Sequence, residues 1–309
     1  MTNKAGITVA NAPISYGAFE VTVGIDPNVP EGVAILDEVS SAGYAGIDLG
    51  PVGYLGLGEE LGRRLGDRGL GLAGAYLEFP FADANGLAAL MPELDAMLDT
   101  FDAVTPFIPG PAPRPTIADN GSEPRRNAPG SGARNPSSGM DDATWEIWGE
   151  GLRGVVDRCR ARGYEPTFHH ETGTFVESPA EIEKVLSLSD IGLCLDTGHF
   201  LIGGGDPVEF LRKWASRINH VHAKDAYLAV FEGIVRDGAP TTAIWSREAF
   251  PVLGQGDVGM DALLTTLDDI GYQGWLVVEQ DIFPQTAERF AQAIEDQRTN
   301  RTWLNERGL

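Results

Sequence analysis

Leu193-Cys194-Leu195-Asp196-Thr197-Gly198-His199 is the stretch that decides the fold: a short apolar run of strand type that ends abruptly on a carboxylate. Three other stretches share this form: Phe168-His169-His170-Glu171, His220-Val221-His222 and Leu276-Val277-Val278-Glu279. Strands of a parallel sheet, covered on both faces, run almost continuously apolar. Their C-terminal ends are where an α/β barrel carries its active site. Glu171, Asp196, His222 and Glu279 are therefore expected together at the rim of a packed core, holding one divalent metal. Asp196 follows Glu171 by 25 positions and precedes His222 by 26, and each interval fits one strand-loop-helix-loop unit.

Outward from these runs, apolar strand-like segments alternate with amphipathic stretches, the pattern of repeated βα units. Strands are expected at Ile7–Ala10, Gly46–Leu49, Gly71–Tyr76, Ala103–Ile108, Pro166–His170, Ile191–Leu195, Ile218–His222 and Trp275–Glu279. Helical spacing falls at Val29–Ala42, Asn85–Asp102, Asp141–Arg162, Pro179–Leu188, Phe210–Trp214, Met260–Ile270 and Gln285–Leu304, with a long excursion from Ala226 to Gln255. Residues 110–139 differ in kind: Pro111, Pro113, Pro115, Pro124, Pro129 and Pro136 are interleaved with Gly, Ser and Asn. This segment reads as a flexible insertion after strand four within a single domain spanning residues 1–309. It carries Arg114, Arg125, Arg126 and Arg134, a basic island suited to a lid or a subunit contact.

The 309 residues are 42% hydrophobic and 22% charged, ordinary for a globular chain and long enough for one barrel with insertions. A net charge of -22 argues against nucleic acid, whose binding draws on Lys and Arg releasing counterions. No run is long and apolar enough for a signal peptide or membrane span, so a cytoplasmic protein is expected. Cys159 and Cys194 cannot form a disulfide framework and read as buried structural thiols. Gly203-Gly204-Gly205-Asp206-Pro207 lacks the Lys-Ser/Thr of a phosphate loop and reads as a turn before a helix. Carboxylates with an imidazole suit Mn²⁺ foremost, with Co²⁺, Mg²⁺ or Zn²⁺ as alternatives, and the lack of thiolates argues against a structural zinc site.

Asp196-Thr197-Gly198-His199, His220-Val221-His222-Ala223-Lys224-Asp225 and Gly274-Trp275-Leu276-Val277-Val278-Glu279-Gln280-Asp281 together make the chain resemble the sugar phosphate isomerase/epimerase superfamily, the xylose-isomerase-like (β/α)8 TIM barrels. Within it the chain is most similar to inosose dehydratases, through Ala12-Pro13-Ile14-Ser15-Tyr16-Gly17, Leu49-Gly50-Pro51, Thr172-Gly173-Thr174 and Lys224-Asp225. The resemblance implies that Glu171, Asp196, His222 and Glu279 are the metal ligands and that His199 contacts substrate oxygens. Two departures stand out. Inosose dehydratases often have histidine where this chain has Glu171, while the ketose epimerases have glutamate there, which pulls toward epimerase-like acid–base chemistry; the epimerases also have an arginine where this chain has Leu228, which pulls away.

Such enzymes remove a proton from the carbon beside a carbonyl, a step that a positioned base speeds by roughly 10²–10⁴-fold. Glu171 and Glu279 are the candidate acid–base carboxylates. Expelling a β-hydroxyl needs an acid, for which His199 or Lys224 would serve; alternatively Lys224 pairs with Asp225. Of the two adjacent histidines, His169 should point inward with Glu171 and contact substrate or back the ligand. Ser15, Tyr16 and Phe19 follow strand one and are candidates to line the sugar pocket, with plugging of the barrel mouth an equal alternative for Tyr16 and Phe19. The expected activity is a metal-dependent lyase on a keto-cyclitol or keto-sugar. A ketose isomerase or epimerase, and elimination from a 3-oxo-glycoside with a small partner subunit on the basic insertion, are the alternatives. A homo-oligomer through barrel helices fits any of them; acidity speaks against a DNA-cutting relative, and an intact ligand set against a non-catalytic sugar binder.

Overall fold

Nine parallel strand segments form one sheet in a computed structural model that describes residues 6–283 and 286–309. They are β1 (Ile7–Asn11), β2 (Gly46–Ile47), β3 (Gly71–Leu72), β4 (Gly74–Phe79), β5 (Arg114–Asp119), β6 (Thr167–His169), β7 (Gly192–Asp196), β8 (Ile218–Ala223) and β9 (Gly274–Val278). Neighbours run β3-β2-β1-β9-β8-β7-β6-β5-β4, and β3 and β4 are consecutive segments joined through Ala73. β3 pairs with β2 while β4 pairs with β5, so the chain itself bridges the seam and the sheet is a nearly closed barrel. Helices follow the strands and cover the outside, the TIM-barrel arrangement.

The strand expected at Ala103–Ile108 is absent. That segment finishes the helix Ala84–Val104 and turns through Thr105–Phe107, whose Phe107 packs against Gly62. The stave is β5 instead, inside the stretch read as an insertion. Its proline is tolerated for a local reason. The Arg114 N–H bonds Ala73 on the β4 side, so position 115 faces β6, and pairing with β6 begins only at Thr116. The missing N–H of Pro115 therefore leaves no ladder bond unmade.

The rest of that stretch, from Asn120 to Gly139, carries two short helices, Glu123–Arg126 and Ser131–Arg134, tied down by a buried polar cluster. The Glu177 carboxylate accepts from the N–H groups of Gly130, Gly132 and Gly173. Arg125, fully buried, donates to Thr174 O, Ser138 Oγ and Glu181, and lies 3.5 Å from Glu177. The excursion after Ala226 holds helices Leu228–Arg236 and Thr242–Ser246, and Gly58–Gly66 is a further helix that periodicity missed. Gln285, expected to open the last helix, lies outside the described residues; that helix is Ala287–Asn305.

Core packing follows the expected faces. Trp145, Trp148, Leu152, Val155 and Val156 of the helix Asp142–Ala161 are all buried, each such side chain contributing about 1.5–3 kcal/mol. Cys159 and Cys194 are both free and buried. Gly203–Gly205 turns the chain, and Asp206 caps the helix Pro207–Lys213. No helix among the described residues is long and apolar enough to cross a membrane.

Candidate metal centre

Four neighbouring strands, β6 to β9, bring chemistry to one end of the barrel. His169 ends β6 and Asp196 ends β7. Opposite Asp196 in register is His222 on β8, and Glu279 directly follows β9. One donor atom from each of His169, Asp196, His222 and Glu279 lies within 4.8 Å of the others. His169 Nε2 is 3.6 Å and His222 Nδ1 3.8 Å from Asp196 Oδ2, and His222 Nδ1 is 3.1 Å from Glu279 Oε2.

These donors fit a divalent cation. Buried polar atoms are nearly always hydrogen-bonded, yet Asp196 Oδ2 and both ring nitrogens of His222 make no hydrogen bond, and what stands nearest them is charged: the Lys224 ammonium 3.0 Å from Asp196 Oδ2 and Glu279 Oε2 3.1 Å from His222 Nδ1. Two imidazoles with two carboxylates are a donor set for Mn²⁺ or Zn²⁺ and their neighbours in the first transition row. Cys194 also approaches His169 and His222, but burial pushes its thiol up to about 11, leaving it protonated at neutral pH.

Of the ligands expected from sequence, Asp196, His222 and Glu279 come together and His169 joins them. Glu171 is not a member of this group. It lies beyond the end of β6 and is half-buried, and its Oε2 accepts from the Tyr76 hydroxyl at 2.5 Å. The same hydroxyl lies 2.9 Å from Glu78, whose carboxyl burial and the nearby Glu171 push up to about 7. His169 and Glu171 share parity along the strand, so pattern alone could not say which one reaches the centre. His170, on the other face, meets Phe200 edge-on outside the group, and burial drives its imidazole far below the ordinary range.

Lys224 does not pair with Asp225. Its ammonium lies 3.0 Å from Asp196 Oδ2, 3.0 Å from Glu279 Oε2 and 2.8 Å from Asp281 Oδ1. Burial opposes its charge, but Asp196, Asp281 and Glu279 outweigh burial and hold its pKa well above the usual lysine value. Burial likewise opposes ionisation of Asp196 and Glu279; Lys224 with His199 at Asp196, and His222 with Lys224 at Glu279, keep both well below the carboxylate range. The glycine of Asp196-Thr197-Gly198-His199 makes room for this arrangement, since a Cβ at Gly198 would sit 2.7 Å from Lys224 Cγ. Thr197 Oγ1 donates to Lys224 O and accepts from Lys224 N, clamping the ends of β7 and β8. Asp225 organises a loop instead, accepting N–H bonds from Ala226, Gly254, Gly256 and Val258.

His199 lies beside this cluster with Nδ1 3.0 Å from Thr172 Oγ1 and Nε2 3.5 Å from Asp281. The Thr172 N–H also points at Nδ1, which assigns the ring proton to Nε2, facing Asp281. Ser15 and Tyr16 do not take the pocket-lining place expected of them. Ser15 Oγ accepts from the Gln280 N–H and Tyr16 is in the hydrophobic core, both fully buried; Phe19 meets Trp245 and Phe283 edge-on. Sequence reasoning missed Asp48, 3.7 Å from His222 Nε2 and pushed by burial up to about 7, as well as Tyr76 and Asp281. Asp281 alone had a signal, closing the Glu279-Gln280-Asp281 stretch that carried the resemblance.

The chain is 29% identical over 267 residues to the inosose dehydratase of Geobacillus kaustophilus (strain HTA426), covering 84% of this chain and 83% of that one. It is 34% identical over 154 residues to the inosose dehydratase of Bacillus cereus (strain AH820), where the match covers 49% of this chain and 52% of its relative. With that protein and several similar ones, the chain thus spans about half of the relative's length. Two solved structures share the fold. The probable 3-DHS dehydratase AsbF from Bacillus anthracis superposes with TM-score 0.66 at 13% identity, covering 96% of this chain and 98% of its own. The IOLI protein with a binding zinc atom gives 0.64 at 16% identity, with 95% and 97% covered. Residues 36–306, which include every member of the candidate metal group, match the xylose isomerase-like TIM barrel family, and the chain belongs to it.

Proposed function

We propose that this protein is a divalent-metal-dependent dehydratase, a carbon–oxygen lyase, acting on a keto-cyclitol of the inosose type. The observation that carries the reading is the convergence of His169, Asp196, His222 and Glu279, with unpartnered donor atoms, beside two buried proton donors. Likeness over 84% of the chain to a protein called inosose dehydratase supports the substrate class. A divalent cation held by those four residues, Mn²⁺ first and Co²⁺, Mg²⁺ or Zn²⁺ otherwise, would draw electron density from the substrate carbonyl and so acidify the neighbouring C–H bond. The zinc of the IOLI protein supports a metal in this fold.

The chain's own residues then divide the proton work. Glu171, outside the ligand group and oriented by Tyr76, takes the proton from the carbon next to the carbonyl. The electron pair left on that carbon forms the new C=C bond as the C–O bond to the β-hydroxyl breaks. Lys224 or His199 gives that hydroxyl a proton, so that it leaves as water. Both donors are steadied by Asp281, at 2.8 and 3.5 Å. Burial keeps bulk water from returning a proton to that carbon before the C–O bond breaks.

Incubating Mn²⁺-loaded protein with 2-keto-myo-inositol should give a rising ultraviolet absorbance as the enone forms. No absorbance with inososes, combined with interconversion of free ketoses, would replace dehydration by isomerisation. Leu228, where a sugar epimerase would need a cation, speaks for dehydration; it opens a helix and donates its N–H to Asp257.

A further inference from the structure

We infer that Lys224 is an exchangeable counter-cation of the metal group and that Asp281 is the positioning residue that receives it when a divalent ion binds. This rests on the metal reading above and adds to it a role for two residues outside the ligand group.

Asp196 Oδ2 and Glu279 Oε2 are the oxygens closest to the imidazoles of His169 and His222, at 3.6 and 3.1 Å, and the Lys224 ammonium lies 3.0 Å from each of them. A divalent ion on the four donors would claim the same lone pairs, and two cations sharing them at such range repel. Lys224 must therefore give up Asp196 and Glu279. Its freedom to move is small: the backbone at Gly198 leaves no space beside Cγ, and the Phe250 ring stands 5.0 Å from Nζ. Asp281 offers a place without any large swing, because its two oxygens already lie 2.8 and 2.9 Å from Nζ and it is not in the ligand group. Among the described residues its carboxylate has no side-chain partners besides Lys224 and His199. The ammonium would thus neutralise the ligand carboxylates when no metal is held, and rest on Asp281, close to the substrate, when one is.

The test is Mn²⁺ titration of the intact protein by calorimetry and by loss of the free-ion electron paramagnetic resonance signal. It compares wild type, Lys224→Met, Asp281→Asn and the double variant. Lys224→Met should bind Mn²⁺ about tenfold more tightly and Asp281→Asn about tenfold more weakly. In the Lys224→Met background, Asp281→Asn should change affinity by less than about threefold, since there is no ammonium left to receive. Additive effects would mean that Asp281 acts only as a nearby charge, and weaker binding by Lys224→Met would mean that the ammonium does not compete; either overturns the inference while leaving the metal reading intact. Wild type that binds no divalent ion overturns both. Should Lys224→Met fail to fold, Lys224→Gln, which keeps hydrogen bonds to the carboxylates without the charge, takes its place in the cycle.

Discussion

Two buried clusters of charge in this barrel look alike in sequence and are opposite in physics. At the loop anchor, Glu177 accepts three backbone N–H bonds, and Arg125 donates to a carbonyl, a hydroxyl and Glu181. At the strand ends, Asp196 Oδ2 and both nitrogens of His222 make no hydrogen bond, and the partner nearest Asp196 Oδ2 is the Lys224 ammonium at 3.0 Å. Satisfied burial is architecture; unsatisfied burial asks for a ligand. The anchor shapes residues 120–139 and needs nothing from outside, whereas the strand-end group is where we propose that a divalent cation binds.

Breaking the strand-end group should give the largest change. Asp196→Asn is expected to weaken Mn²⁺ binding by more than about 100-fold, beyond the span typical of residues behind the ligands, and to abolish enone formation; calorimetry and the absorbance assay check both. Glu177→Ala, at the anchor, should instead cost about 3–5 kcal/mol of stability in urea melts, as removal of one partner from a buried ion pair does. It should leave Mn²⁺ affinity of the folded fraction unchanged, and a large loss there would erase the distinction between the clusters.

A smaller effect sharpens it. Mn²⁺ at about 100 times its dissociation constant should stabilise wild type by about 2.7 kcal/mol, a gain reversed by a chelator and absent from Asp196→Asn. The smallest effect is in pH. Burial outweighs the N–H bonds and Arg125 at Glu177 and raises its pKa, so the folded chain holds that proton more tightly than the unfolded chain. Its contribution to stability is full below the unfolded value and is lost as pH rises through the folded one. Comparing melts of wild type and Glu177→Gln from the ordinary glutamate range upward should show that slope only in wild type.

Much of this was legible in the chain. Apolar runs ending in His or carboxylate located the strand ends because strands buried on both faces have few other ways to be written. Asp196, His222 and Glu279 could be named for that reason. The fourth stave could not, since its Pro115 and the prolines before it mimic coil, and only the late start of the β6 ladder makes that proline harmless. Tyr16 followed a strand on the right side of the barrel yet turned into the core, a choice that a short helical turn made after Ala12.

Alternation along the polypeptide settled which side chains share a face, and with it the barrel class, the end that bears the site and most of the donor types. Which of two inward residues, His169 or Glu171, reaches the centre was settled by how far β6 extends before the chain turns. The attachment of Lys224 to Asp281 across 57 positions, instead of to its neighbour Asp225, came from the pairing of β8 with β9. Periodicity encodes direction, while distance between staves depends on register and twist, which exist only once the barrel has closed.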